Sequence, residues 1–268
     1  MGVSRAVSKA EALSKKGGLI YTYGPLIHNP QVIDDLKKKK VKVTESLKGL
    51  RGATLLIRTH GVSPKEKALI KESVSQICDM TCPRVARVQG IIRKYAGHGY
   101  KVVIVGDVDH PEVKGLMGFA GKNGYVVNTE ADIKKVPIKN KLCIVSQTTM
   151  NMKLFEKLSR RLSKTRKDSV VFNTICDSTS KRQDEVLELC KKVDAMIVIG
   201  GKNSANTTRL ADISRNAGVK AYHIETEKEL KLKEIKKYGA IGVTAGASTP
   251  NWMIERVLKK LGSMVDKA

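Results

Sequence analysis

Eight short apolar runs, at residues 19–21, 55–58, 101–105, 142–145, 170–172, 195–199, 221–224 and 241–244, recur along this chain with helical patterns between them. Runs of that length are strands, and strands that alternate with helix-length segments require crossover connections, hence parallel sheets. Helices are predicted over 3–13, 65–73, 84–96, 113–119, 152–162, 181–192, 207–216, 228–237 and 251–261. The class is α/β. Five of the runs lead into polar loops: Thr59-His60-Gly61-Val62-Ser63, Asp109-His110-Pro111-Glu112, Ser146-Gln147-Thr148-Thr149, Lys202-Asn203-Ser204-Ala205-Asn206 and Ala245-Gly246-Ala247-Ser248-Thr249-Pro250. Loops at the carboxyl ends of parallel strands line the ligand crevice of such a fold.

Two further segments, Asp79-Met80-Thr81-Cys82-Pro83 and Thr174-Ile175-Cys176-Asp177-Ser178, put a cysteine where a strand hands over to a helix. Pro suits a first helical turn, and Asp and Ser cap well. A thiolate at a helix N-terminus is stabilised by the exposed N–H groups and the dipole, which favours the form that binds metal. Cys82 and Cys176 are therefore candidate ligands. They lie 94 positions apart (176 − 82), and a similar step back from Cys82 reaches just before Met1. That spacing predicts three similar α/β lobes, over 1–82, 83–172 and 173–268, around one centre. Thiols, imidazoles and hydroxyls gathered there suit a metal cluster beside a polyanionic substrate.

Each loop taken alone has an ordinary explanation in capping and turn chemistry. His28, His60, His110 and Glu112 gain weight only in company. His98 sits at a predicted helix end and His223 in a strand-like run, and neither is assigned a function. Cys78, Cys143 and Cys190 read as small buried hydrophobes. Cys78 and Cys82 lack the second nearby pair that a zinc site needs. Gly200-Gly201-Lys202-Asn203 is similar to a phosphate loop but lacks its full spacing, so nucleotide hydrolysis is not supported.

At 268 residues with 41% hydrophobic content, the chain can bury a large core. The apolar runs fall far short of the roughly 20 residues a bilayer helix needs. No signal sequence opens the chain, and five cysteines without disulfide spacing point to a reducing cytoplasm. A net charge of +24 admits nucleic-acid binding, but Lys is scattered over outer helix faces and aromatics make up only 4%, too few to stack bases. The charge instead suits attraction of acidic electron-donor proteins.

In order along the chain stand His28-Asn29, His60-Gly61-Val62-Ser63, Thr81-Cys82-Pro83, His110-Pro111-Glu112-Val113, Gln147-Thr148-Thr149, Cys176 with Arg182-Gln183, Asn203-Ser204-Ala205-Asn206 and Thr244-Ala245-Gly246-Ala247-Ser248. Together they resemble the 4-hydroxy-3-methylbut-2-enyl diphosphate reductases, which finish the non-mevalonate isoprenoid pathway. The resemblance implies three α/β lobes in pseudo-threefold array around a 4Fe-4S iron–sulfur cluster, with Cys82 and Cys176 as two of its three ligands. It implies that His28, His60, Ser204, Asn206 and Ser248 bind diphosphate, with Thr148 nearby. His110 would face the diphosphate and hydroxyl region, and Glu112 would deliver protons. The partners implied are the substrate and an acidic donor such as a ferredoxin or flavodoxin.

Two departures qualify it. The third cysteine of the resemblance falls directly before Met1, with a short strand of the third lobe before that, so the chain from Met1 onward is expected to hold its cluster poorly. Ala205 stands where a serine is often found, which removes one hydroxyl contact to phosphate. The alternative class is a cluster-less diphosphate- or nucleic-acid-binding protein.

Overall fold

A run of apolar residues with no polar alternation belongs to a strand covered on both faces. The structure, a computed structural model describing residues 2–137, 141–164 and 168–265, places the longest runs so. Its two compact units are Met1–Ile27 with Ile33–Cys176, and His28–Val32 with Asp177–Ala268.

In the first unit α1 (Gly2–Lys16), β1 (Ile20–Tyr23), α2 (Pro30–Lys38, begun in the other unit), β2 (Val41–Thr44), β3 (Thr54–Ile57), α3 (Pro64–Ser73) and β4 (Gln76–Asp79) build one sheet and its helices. Then come α4 (Pro83–Gly97), β5 (Lys101–Val105), α5 (Pro111–Ala120), β6 (Gly124–Val127), β7 (Leu142–Ser146), α6 (Met152–Lys164) and β8 (Val170–Val171). Strand orders are β2-β1-β3-β4 and β6-β5-β7-β8, every pairing parallel. The same order arises twice because each sheet starts from its second position and crosses over in the same way. On one face of the second sheet, Val103, Val105, Leu142 and Ile144 pack on Phe155, Leu158 and Leu162 of α6. On the other, Val102, Ile104, Cys143 and Val145 meet Val88 and Ile92 of α4 and Leu116 of α5.

The second unit holds α7 (Asp177–Cys190), β9 (Ala195–Ile199), α8 (Ala205–Asn216), β10 (Lys220–Ile224), α9 (Leu232–Ile235), β11 (Ile241–Ala245) and α10 (Asn251–Val265). Its parallel sheet runs β10-β9-β11, with Met196 and Val198 on one buried face and Ile197 and Ile199 on the other. The expected fold class, α/β lobes built on parallel sheets, is what the chain forms.

Three strands escape the sequence pattern: β2, β4 and β6. All are sheet edges: β2 and β4 mix polar with apolar residues, and β6 has only the short Tyr125-Val126-Val127 run, half-buried except at Val127. For the same reason Cys78, on β4, is half-buried where burial was expected. Cys143 and Cys190 are buried as expected. α2 was also missed, although Asn29-Pro30 is a start signal: the Asn29 side chain accepts from the Val32 N–H at 3.1 Å. The helix expected over 228–237 is broken into a turn of 3₁₀ helix at Glu227–Glu229 and the short α9. Leu230 and Ile235 both turn inward there, a spacing of five that one helical face does not present.

Candidate functional site

In the first unit the two cysteines sit in matching places. Beyond the β3/β4 pair, the Cys82 N–H donates to the Thr59 carbonyl at 2.9 Å; beyond β7/β8, the Cys176 N–H donates to the Thr148 carbonyl at 2.9 Å. Parallel pairing thus carries each cysteine to the loop that follows its neighbour strand. Cys82 is the N-cap of α4 with Pro83 at N1, and its sulfur takes no part in capping. Cys176 directly precedes α7. Both are half-buried and neither is in a disulfide.

The turn before Cys82 is held by Asp79, whose carboxylate accepts from the Thr81 N–H at 3.0 Å and from Lys67 Nζ at 2.6 Å. Burial alone would raise that carboxyl's pKa, but these bonds outweigh it and hold it below its ordinary value. Gly61 packs on the same turn at φ +72°, where a Cβ would lie 3.2 Å from the Thr81 methyl, so the residue after His60 has to be glycine. A Cβ on Gly2 would stand 2.7 Å from Cys82 Sγ, so the amino end of α1 lies against this sulfur.

Glu112, 2% exposed at the start of α5, accepts from the Thr148 N–H at Oε1 and from the Thr148 hydroxyl at Oε2, both at 2.6 Å. The Glu112 N–H donates to His110 Nδ1 at 3.1 Å, which caps the helix and fixes that ring. His60 meets His110 edge to face, with centroids 5.3 Å apart at 84°. Hydrogen bonds thereby link Cys176, Thr148, Glu112 and His110 in series, and the ring contact adds His60. Gln147, named in the sequence only as part of its loop and given no role of its own, is fully buried and braces two of these loops, accepting from the Asp107 N–H at 2.9 Å and donating to the Thr149 hydroxyl at 2.9 Å.

The second unit brings together His28, Ser204, Asn206 and Ser248. Asn29 Nδ2 donates to the Ser248 carbonyl at 3.1 Å, and the Ser248 hydroxyl donates to the His28 carbonyl at 3.2 Å. Gly201 runs so close that a Cβ there would be 2.7 Å from the same His28 oxygen. Ser204 caps α8. Asn206, 6% exposed in the first turn of α8, has no hydrogen-bond partner at either amide atom among the described residues, and neither has the fully buried Thr207 hydroxyl. Leaving a buried amide unpaired costs about 1–3 kcal/mol, and a helix N-terminus is where an anion would pair it. His223 stays on β10 and touches the loop only through the Gly200 carbonyl, 3.0 Å from Nε2. His98 is the C-cap of α4, as expected.

Parallel sheets with polar loops at the carboxyl ends of their strands, bearing thiols and a buried carboxylate in one unit and hydroxyls and an amide in the other, define an α/β protein of the kind that binds ligands at such loops. The model of the LytB protein family matches residues 1–262, and the chain belongs to that family. A 4-hydroxy-3-methylbut-2-enyl diphosphate reductase of Caldanaerobacter subterraneus subsp. tengcongensis is 44% identical over 268 residues, covering 98% of this chain and 93% of its own length. One of Geobacter sulfurreducens is 40% identical over 266 residues, covering 99% and 94%. Among solved structures, the E-1-hydroxy-2-methyl-but-2-enyl-4-diphosphate reductase of Plasmodium falciparum aligns at TM-score 0.91 and 28% identity over 96% of this chain and 83% of its own.

Proposed function

We propose that this chain is a 4-hydroxy-3-methylbut-2-enyl diphosphate reductase, which replaces the allylic hydroxyl by hydrogen to give isopentenyl and dimethylallyl diphosphate. Family membership over 1–262 supports the activity. The observation in the chain itself that carries it is the buried amide of Asn206 beside Ser204, without a partner among the described residues, whose Nδ2 would donate to diphosphate oxygens. His28 and Ser248 would supply further donors, with the N–H groups opening α8. The three lobes are taken as 1–82, 83–172 and 173–268.

The reaction breaks one C–O bond, takes up two electrons and two protons, and releases water. Half-buried thiols at two helix starts fit a thiolate-bound group: Cys82 and Cys176 would be two of the ligands of a 4Fe-4S cluster. When bound, such a cluster supplies electrons singly and a Lewis-acidic iron. Glu112 Oε2 accepts from the Thr148 hydroxyl at 2.6 Å, so a proton taken up by this carboxylate would have the Thr148 oxygen as its route toward the leaving oxygen. His110 is oriented for the same region by its bond from the Glu112 N–H. The electron donor would be an acidic ferredoxin or flavodoxin drawn by the +24 charge, and the setting the cytoplasm. No helix among the described residues is long and apolar enough to cross a membrane.

Glu112→Gln tests the proton role. The amide keeps an oxygen for the Thr148 N–H but offers an NH₂ to the hydroxyl, so geometry survives and the acid is lost. Turnover with reduced viologen should fall by about a hundredfold or more, while substrate affinity changes by no more than about threefold. Unchanged turnover would remove Glu112 from the mechanism. Iron and sulfide counts after anaerobic reconstitution should collapse in Cys82→Ser and Cys176→Ser.

A further inference from the structure

Two carboxylates lie beside the proposed diphosphate cradle in a chain otherwise crowded with cations. Glu225, half-buried just past β10, accepts from the Lys202 N–H at Oε1, 2.8 Å, and from Gln31 Nε2 at Oε2, 3.3 Å. Its own N–H donates to Glu229 Oε1 at 3.0 Å, and Glu229 Oε2 takes the Lys202 ammonium at 2.5 Å. Gln31 is two residues from Asn29 and three from His28, while Lys202 is two residues from Ser204. Each oxygen of one carboxylate therefore grips a different strand of the cradle.

We propose that Glu225 is the positioning residue of the diphosphate site, clamping the His28–Gln31 segment to the loop from Gly201 to Ser204. The inference rests on the diphosphate reading above. The clamp ties this loop to a segment 171 positions away in the chain (202 − 31). The loop leaves β9 through Gly200 at φ +145°, and Gly201 has no side chain with which to pack. Its other ties include the Ser204 N–H to the Gly201 carbonyl at 3.0 Å, the Thr208 hydroxyl to the Lys202 carbonyl at 3.3 Å, and, upstream, the Gly200 N–H to the Ile224 carbonyl at 2.9 Å and His223 Nε2 to the Gly200 carbonyl at 3.0 Å. Across the gap the loop comes close at Gly201, where a Cβ would lie 2.7 Å from the His28 carbonyl oxygen and 3.3 Å from Pro30 Cδ. The Glu225 carboxylate adds a hydrogen bond to each segment. The Glu229–Lys202 pair neutralises one of the two negative charges, so the clamp repels an incoming anion less than two bare carboxylates would.

A carboxylate can accept at both oxygens, an amide at only one, and this gives a test in which shape is kept while the bonding pattern is altered. The probe is inorganic diphosphate, titrated calorimetrically into the chain as isolated, with KM and kcat measured on reconstituted protein. Glu225→Ala should weaken diphosphate binding about tenfold and raise KM by a similar factor with kcat changed less than about twofold, since ordering the cradle serves ground and transition state alike. Gln31→Ala, which cuts one arm only, should have a smaller effect in the same direction and add nothing to Glu225→Ala. The exchange Glu225→Gln with Gln31→Glu returns a donor–acceptor pair across the gap and keeps the Lys202 N–H paired, so it should restore affinity to within about threefold. Diphosphate binding unchanged in Glu225→Ala would overturn the proposal, as would a loss that the exchange does not repair. If the unaltered chain binds no diphosphate, the reading of the site itself fails, and the clamp with it.

Discussion

At the scale of single residues, the five cysteines divide by environment. Cys143 is wholly enclosed between β5 and the helices α4 and α5, and burial pushes its thiol up to about 12. At pH 8 only roughly one molecule in ten thousand would carry that thiolate. Alkylation of the native chain with iodoacetamide should therefore spare Cys143 and Cys190 and label Cys82, Cys176 and Cys78, with all five labelled in guanidinium. Peptide mass spectrometry reads the sites; native labelling of Cys143 at the rate of Cys82 would contradict its burial. The inert pair was legible from sequence because Cys143 interrupts a strand core. Cys78 was not, since an edge strand has no pattern that separates half-buried from buried. Site residues divide in the same way. Those at the starts of helices, Cys82, His110 and Ser204, announce themselves by caps and Pro, whereas Gln147 and Glu225 act by reaching across to other segments, which no local pattern encodes.

At the scale of elements, what the sequence yields is the central strands and the long amphipathic helices, because both faces of the one and a single face of the other must be apolar. Edges and broken helices depend on partners far along the chain. Helix-to-helix contact is similarly non-local, and two glycines make it measurable. Gly90 lies within α4 with nothing near the position of a Cβ, while a Cβ on Gly118 of α5 would overlap Cβ of Ser63, the N-cap of α3. Helix propensity treats the two alike. Gly90→Ala should raise stability by about 0.5–1 kcal/mol, and Gly118→Ala should lower it by about 1–3 kcal/mol as the Ser63–Glu66 capping box is forced aside. Urea midpoints of the two variants should move in opposite directions; a rise in both would mean that α5 and α3 are not packed as described.

At the scale of the whole molecule, the charge of +24 bears on kinetics more than on fold. Many of the ion pairs on the described residues are exposed i,i+3 contacts such as Lys37–Asp34 and Arg215–Asp212, worth little individually, so the excess of cations stays available to the surroundings. A field of this sign attracts acidic proteins and nucleic acids without distinction, and salt tells the two consequences apart. Screening length falls from about 10 Å at 0.1 M salt to about 3 Å at 1 M. Reduction by an acidic ferredoxin should therefore slow about tenfold or more as salt is raised from roughly 20 mM to 500 mM. Turnover driven by a small viologen radical, a cation that gains nothing from the field, should change by less than about twofold. Retention of DNA should vanish over the same range, since contacts to phosphate alone are lost as counterions compete. A ferredoxin-driven rate indifferent to salt would mean that the surface charge does not steer the donor, and DNA binding that persisted at 500 mM, a concentration where nonspecific contacts fail, would point to a nucleic-acid role that the sparse aromatics argue against.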